Sequence, residues 1–209
     1  MEQSPEESAL QFLERVYCKM LLVLQSEEKV ILIGGNHLSI FPVYRYFYSA
    51  QSRILTLDAH CDCYDFPSLN HASFLNYLDD TANVKHVISG VRSTYGAPII
   101  SKQITIAHGH QQSSLDSLMD ILPVDFLDID VDVMDPNIFS WCGSPCEGGL
   151  TAEQVTHLVK YYNRTGGRVL AISEYIPNYD FQGKGLSIIK HIIDAFVGLP
   201  SIQENSKLL

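Results

Sequence analysis

Apolar residues run along this chain in two rhythms. The first recurs every three to four positions, the repeat of a helix with one buried face. It covers "SALQFLERVYCKMLLVL" (8–24), "LSIFPVYRYFYS" (38–49), "HASFLNYLDD" (71–80), "SSLDSLMDIL" (113–122), "TAEQVTHLVKYYNR" (151–164) and "GLSIIKHIIDAFVGL" (185–199). Start signals agree with it: acidic residues and Ser8 lead into the first segment, Pro42 sits near the start of the second, and Thr151 with Glu153 and Gln154 opens the fifth. The second rhythm is a short unbroken apolar run: "KVILIGG" (29–35), "RILTLDAH" (53–60), "VKHVISGVR" (84–92), "QITIAHG" (103–109), "VDFLDIDVDV" (124–133) and "GRVLAISEYI" (167–176). Such runs predict strands buried on both faces. Strands alternate with helices, so the pattern predicts an α/β fold, a three-layer αβα sandwich around a mostly parallel sheet. No repeat, low-complexity tract or linker interrupts it, which predicts one domain over 1–209 with a frayed tail at 200–209.

In open α/β sheets ligands bind beyond the carboxyl ends of the strands. Four predicted strands end in polar residues: "GGNH" (34–37), "DAHCD" (58–62), "DIDVD" (128–132) and "SE" (173–174). The densest stretch is "LDAHCDCYD" (57–65), with three aspartates and a histidine directly after an apolar run. Charges near a core are unfavourable unless paired or bound to metal. Singly, each residue has a plain reading. His37 fits a turn, Asp58, His60 and Asp62 a solvated loop, Asp130 and Asp132 the turn before Asp135-Pro136, and Glu174 a surface acid. Together, at one edge of one sheet, they predict a cation site. If the strand continues extended through 58–62, Asp58, His60 and Asp62 point one way and Cys61 and Cys63 the other.

Composition narrows the partners. The 209 residues are 46% apolar and 18% charged, enough for a sizeable core, and the net charge is −10. That balance argues against nucleic acid and anionic membranes, both of which call for basic faces. The opening "MEQSPEES" has no secretory pattern, and no apolar run reaches the roughly 18–20 residues of a membrane span. Five cysteines without a CxxC predict no disulfide framework and a cytoplasmic protein, and the spacings of Cys61, Cys63, Cys142 and Cys146 fit a zinc site poorly.

The motifs and their order resemble those of the ureohydrolase superfamily of arginases, agmatinases and formimidoylglutamases. "GGNH" resembles the family's GGDH, "DAHCD" its DAHxD, "DIDVDVMDP" its SxDxDxxDP, "GSP…GGLT" (143–151) its GTP…GGLT, and "SEYIP" its E-x-N-P. "DCYDFPSLNHASF" is similar to the agmatinase stretch DxYD…NHGT, and "ISGVR" to the strand end IGIR. The resemblance implies an arginase-like fold holding two Mn²⁺. One ion would take His37, Asp58, Asp62 and Asp130, and the other His60, Asp58, Asp130 and Asp132, with Asp58 and Asp130 bridging. A hydroxide held between the ions would attack a guanidino carbon. Glu174 would accept the guanidinium, and His71 would pass a proton to the leaving amine. Asp62 counts with these catalytic residues as well as with the ligands, and Ser144 stands where the family has a threonine beside the substrate.

Departures from the family matter as much. The segment ending in "GGNH" comes early, which predicts an N-terminally shortened version that lacks the first strand and part of a pocket wall. Asn36 replaces an aspartate that is not a ligand, Asp128 adds a carboxylate near the metals, and Ile176 replaces an asparagine. Tyr64 and "STY" (93–95) occupy positions where arginases for free arginine grip the amino-acid backbone, so Tyr64 and Tyr95 become candidates to flank a different substrate. His108 and His110 read as strand-end loop residues. The expectation is a manganese hydrolase converting arginine within a precursor peptide to ornithine and urea. A small-molecule ureohydrolase for agmatine, arginine, a guanidino acid or formimidoylglutamate is the rival. The related zinc deacetylases lack support because their paired-histidine motif is missing, and a metal-binding pseudoenzyme or assembly subunit is the reading from another class. A homo-oligomer stays open.

Overall fold

The computed structural model describes residues 4, 6–93, 98–108 and 115–199. Six strands, β1 (Val30–Ile33), β2 (Ser52–Leu57), β3 (Val84–Val91), β4 (Ile104–His108), β5 (Phe126–Asp130) and β6 (Val169–Ser173), form one sheet in the order β1-β6-β5-β2-β3-β4. Every pairing in it is parallel. Among the described residues five helices flank it: α1 (Ala9–Ser26), α2 (Phe41–Tyr48), α3 (Leu115–Met119), α4 (Ala152–Arg164) and α5 (Lys184–Val197).

Successive strand residues point to opposite faces, and here both faces are covered. Ile54 and Phe126 pack with Leu13, Met20, Val43 and Tyr44 of α1 and α2. Leu55 and Leu127 pack with Val155, Leu158, Ile192 and Phe196 of α4 and α5. That is why the strands read as unbroken apolar runs, and the predicted three-layer architecture is what forms. Among the described residues no helix is long and apolar enough to cross a membrane.

Two helices start where the sequence signals put them. The Gln11 amide donates to Ser8 Oγ at 3.3 Å while the Ser8 amide donates to Gln11 Oε1 at 2.9 Å. Thr151 and Gln154 make the same reciprocal pair at 3.2 and 2.8 Å at the head of α4. Removing a cap hydroxyl costs about 1 kcal/mol. Thr151→Ala is therefore expected to lower the unfolding free energy by that amount, read as a lower urea midpoint with an unchanged slope; an unchanged midpoint would show that the cap contributes nothing.

Three segments differ from their predicted form. The helix expected over 38–49 begins with a 3₁₀ turn, His37–Ile40, before α2, and Pro42 falls in the first turn of α2, where a missing N–H does no harm. The helix expected over 71–80 is one 3₁₀ turn, Phe74–Tyr77. The strand expected over 124–133 stops at Asp130, whose side chain accepts the Asp132 amide and winds Val131–Val133 into a 3₁₀ turn.

Chain order sets the place of the site. From β2 the chain proceeds to β3 on one side, and from β5 to β6 on the other, yet β2 and β5 are neighbours. The loops leaving them diverge and open a crevice, the switch point at which such sheets bind ligands.

Candidate metal centre

Asp58 follows β2, and its Oδ1 accepts the His60 amide at 2.6 Å. The backbone does not stay extended. Asp62 adopts φ 47°, a left-handed conformation unfavourable for a residue with a Cβ. This turn, rather than strand alternation, aims the Asp62 carboxylate back at His37. Cys61 and Cys63 still face away, buried in the apolar cluster beneath α1 and α2. Across the crevice, Asp130 Oδ1 accepts the Asp132 amide at 3.0 Å, and Asp132 Oδ1 accepts the Ala59 amide at 3.1 Å, which ties the two loops together. Gly90, at φ 104°, lets β3 pass close by: a Cβ there would lie 2.9 Å from the Asp58 carbonyl oxygen.

His37 comes from the 3₁₀ turn after β1, which Asn36 opens by accepting the Leu38 amide at 3.0 Å. Its Nδ1 lies 2.8 Å from Asp62 and 3.2 Å from both Asp58 and Asp130. His60 Nδ1 lies 2.8 Å from Asp132 and 3.5 Å from Asp58. All six side chains are buried. Two ligand-type groups form among the described residues, His37 with Asp58 and Asp62, and Asp58 with His60 and Asp132; Asp58 belongs to both, while Asp130, expected to bridge as well, falls in neither and lies beside the first, 3.2 Å from His37 Nδ1. Neither contains a thiol.

The electrostatics of this cluster call for positive charge. Burial, with Asp62 and Asp132 alongside, pushes the Asp58 carboxyl up to about 7. Burial, then Asp132 and Asp58, lifts Asp130 well above the carboxylate range, and burial lifts Asp62. Against burial, which lowers them, the carboxylates drive both imidazoles up: Asp128, Asp130 and Asp58 act on His37, and Asp132 with Asp58 brings His60 to about 12. Asp132 alone is lowered, because the His60 contact outweighs its burial. His37 Nδ1 makes no hydrogen bond although carboxylate oxygens surround it. An orphaned nitrogen among carboxylates is a coordination environment, so the residues present fit divalent ions. Oxygen-rich donor sets with one imidazole each suit Mn²⁺ better than thiolate-seeking metals.

A pH dependence follows. The Asp58 pKa near 7 in the fold stands above its unfolded value of about 3.9. The stability it contributes is full below about pH 4 and is lost as pH rises through about 7. Metal ions bind the deprotonated ligands, so they compensate most at high pH. The melting temperature of the metal-free protein should therefore fall between about pH 5 and about pH 8, and added Mn²⁺ should raise it more at the upper end. Equal rises at both ends would contradict the assignment.

Above the cluster opens a cleft of about 440 Å³. His60, Asp62, Asp130 and Asp132 line it, as do four further residues singled out in the sequence, Tyr64, His71, Ser144 and Glu174. His37 and Asp58 are not among its lining residues. Tyr64 is 3% exposed, and its hydroxyl donates to the Ser93 carbonyl at 3.4 Å, so it contributes a wall more than a free donor. Glu174 follows β6 at φ 66°, and its Oε1 accepts the His37 amide at 2.6 Å. Two strained site residues, Asp62 and Glu174, are thus held by their surroundings. Tyr95 and His110 lie outside the described residues, and His108 ends β4.

Sequence reasoning missed two contributors, Phe66 and Arg92. Phe66 lines the cleft, as does Asn36, which the sequence marks as a departure; the signal for Phe66 was a lone large apolar residue in a polar loop. Arg92 donates to the carbonyls of Gly90, Asp132, Cys146 and Glu147 at 2.7 to 3.0 Å, fixing the loop that carries Ser144 against the metal-ligand turn.

Known proteins resemble this chain in sequence and in fold. The sequence model of the arginase family matches residues 2–198. An agmatinase of Blochmanniella floridana is 26% identical over 170 residues, covering 76% of this chain and 56% of that protein. A formimidoylglutamase of Macrococcus caseolyticus (strain JCSC5402) is 25% identical over 182 residues, 78% of this chain and 58% of that one. The chain thus spans little more than half the length of these relatives. In three dimensions it superposes on the agmatine ureohydrolase of Thermoplasma volcanium with a TM-score of 0.78 at 20% identity, covering 94% of this chain and 70% of that one. The arginase from Bacillus subtilis gives a TM-score of 0.78 at 18% identity, with 96% and 83% covered. At these identities the superpositions establish the fold.

Proposed function

This chain belongs to the arginase family, and from that premise we propose that it hydrolyses a guanidino C–N bond at a two-metal centre. The observation that carries the reading is a pair of ligand groups sharing Asp58 beneath a cleft that also holds Glu174 and His71. In this reading His37, Asp58, Asp62 and Asp130 hold one Mn²⁺, and His60, Asp58, Asp130 and Asp132 hold the other. Bound ions supply Lewis acidity and lower the pKa of water, so a nucleophile is available near neutral pH.

The protein's own residues do the rest. Glu174 has one oxygen committed to the His37 amide, which orients its carboxylate toward the cleft to receive the guanidinium in a charge-assisted pair. His71 is exposed on the cleft wall and delivers a proton to the departing amine nitrogen. The net change adds one water to R–NH–C(NH₂)₂⁺ and yields R–NH₃⁺ and urea.

For the substrate we infer arginine within a peptide. Among the described residues lining the cleft there is no lysine or arginine to meet a substrate carboxylate, and Phe66, 43% exposed, offers an apolar wall. Agmatine is the second reading. It also lacks a carboxylate, and relatives of this chain bear the name agmatinase. Mass spectrometry of Mn²⁺-loaded protein with arginine peptides, agmatine, arginine and formimidoylglutamate decides. Peptides should lose about 42 Da per arginine, the CN₂H₂ that leaves as urea with one water. Turnover of agmatine with peptides untouched would replace the peptide reading, and no turnover of any guanidine would remove the hydrolase.

A further inference from the structure

The Nε2 side of His37 faces the dry interior. There it lies 2.7 Å from Asp128 Oδ2. Tyr44 Oη donates to the same carboxylate oxygen at 2.5 Å and lies 2.5 Å from Thr56 Oγ1. Thr56 Oγ1 is 2.8 Å from His86 Nε2, and His86 Nδ1 is 3.0 Å from Tyr48 Oη. All six side chains are buried, and they come from α2, β2, β3, β5 and the turn after β1.

Donor accounting gives this chain of contacts one direction. A carboxylate only accepts, so Tyr44 must donate to Asp128. The Tyr44 oxygen then accepts from Thr56, Thr56 accepts from the Nε2–H of a neutral His86, and His86 Nδ1 accepts from Tyr48. Burial pushes His86 down to about 3, which supplies the single N–H the scheme requires. Every donor points toward Asp128 Oδ2, while Asp128 Oδ1 is buried without a partner.

We propose that Asp128 is a positioning residue for His37, and that the Tyr48–His86–Thr56–Tyr44 chain holds Asp128 in place for that task. By taking the Nε2–H, Asp128 orients the ring so that Nδ1 would serve an ion held among the carboxylates of Asp58, Asp62 and Asp130. The proposal rests on the two-metal reading above. It makes the affinity of one ion depend on residues that touch no metal and no substrate.

The test uses the whole chain and Mn²⁺ alone. Two-site titration, with free Mn²⁺ followed by electron paramagnetic resonance, should show one of the two affinities about 10- to 100-fold weaker in Asp128→Asn, the usual weight of such a partner. The shape-matched Thr56→Val, which breaks the chain two links away, should weaken the same ion by about two- to fivefold, the weight of part of one hydrogen bond. In metal-free protein the buried His37 Nε2–H proton should resonate downfield, as expected beside a carboxylate, and should move upfield in Asp128→Asn; a merely structural role would leave it in place. Should Asp128→Asn not fold, Thr56→Val decides alone. Unchanged affinities together with an unmoved resonance would overturn the proposal. If the native chain binds no Mn²⁺, the two-metal reading itself falls, and this is seen before any variant is made.

Discussion

Asp130→Ala is expected to abolish turnover and to release at least one metal ion. Asp130 has two tasks that no neighbour can assume. Its Oδ2 lies 3.2 Å from His37 Nδ1, among the atoms that would hold the first ion. Its Oδ1 accepts the Asp132 amide and so sets the turn that presents Asp132 to His60. Alanine removes a ligand and loosens the ligand beside it, so both halves of the centre suffer. Asp65→Ala is the control, because Asp65 is exposed and, unlike Asp130, neither lines the cleft nor contacts His37. Metal analysis after gel filtration, with an activity assay, reads the outcome. Two ions per chain and full turnover in Asp130→Ala would end the binuclear assignment.

The second large effect is expected at His71. A positioned general acid contributes about 10²–10⁴-fold, so His71→Ala should slow turnover by that factor while the metal content stays the same. The split follows from its location: it lines the cleft but is exposed, apart from the buried carboxylate and imidazole cluster beneath. Loss of metal in this variant would make His71 a ligand. An unchanged rate would return it to an ordinary surface histidine beside the 3₁₀ turn at Phe74–Tyr77.

What the sequence could and could not announce follows from the range of the forces involved. Asp58 and Glu174 were legible because each directly follows a strand, Asp130 because it ends one and His37 because it opens the turn after one, and in a parallel sheet those ends share one edge. The two buried faces of the sheet were legible for the same local reason, the unbroken apolar run. The path from Asp58 to Asp62 was not, since it depends on a left-handed residue whose strain is borne by the ligand contacts around it. The early end of β5 was hidden too: a side chain capping its own turn leaves no mark on apolar periodicity. Asp128 was noticed as an added charge, but its contacts with His37 and Tyr44 join residues 91 and 84 positions away, beyond what spacing can show. The sequence offers Tyr64 as a candidate to flank the substrate, and only the fold reveals that its hydroxyl is already engaged by the Ser93 carbonyl.

The strand order has a consequence for how this chain acquires its centre. Among the described strands β1 pairs with β6, and the bond between the His37 amide and Glu174 closes a span of 137 residues. A chain emerging from the ribosome makes β1 before β6 and must complete the residues between them before the two can pair. Long-range parallel pairings of this kind form late, after loop closure has been met. His37 therefore reaches its place only when β6 has docked, and ion uptake during refolding should trail the recovery of helix signal and coincide with the last step to the native state.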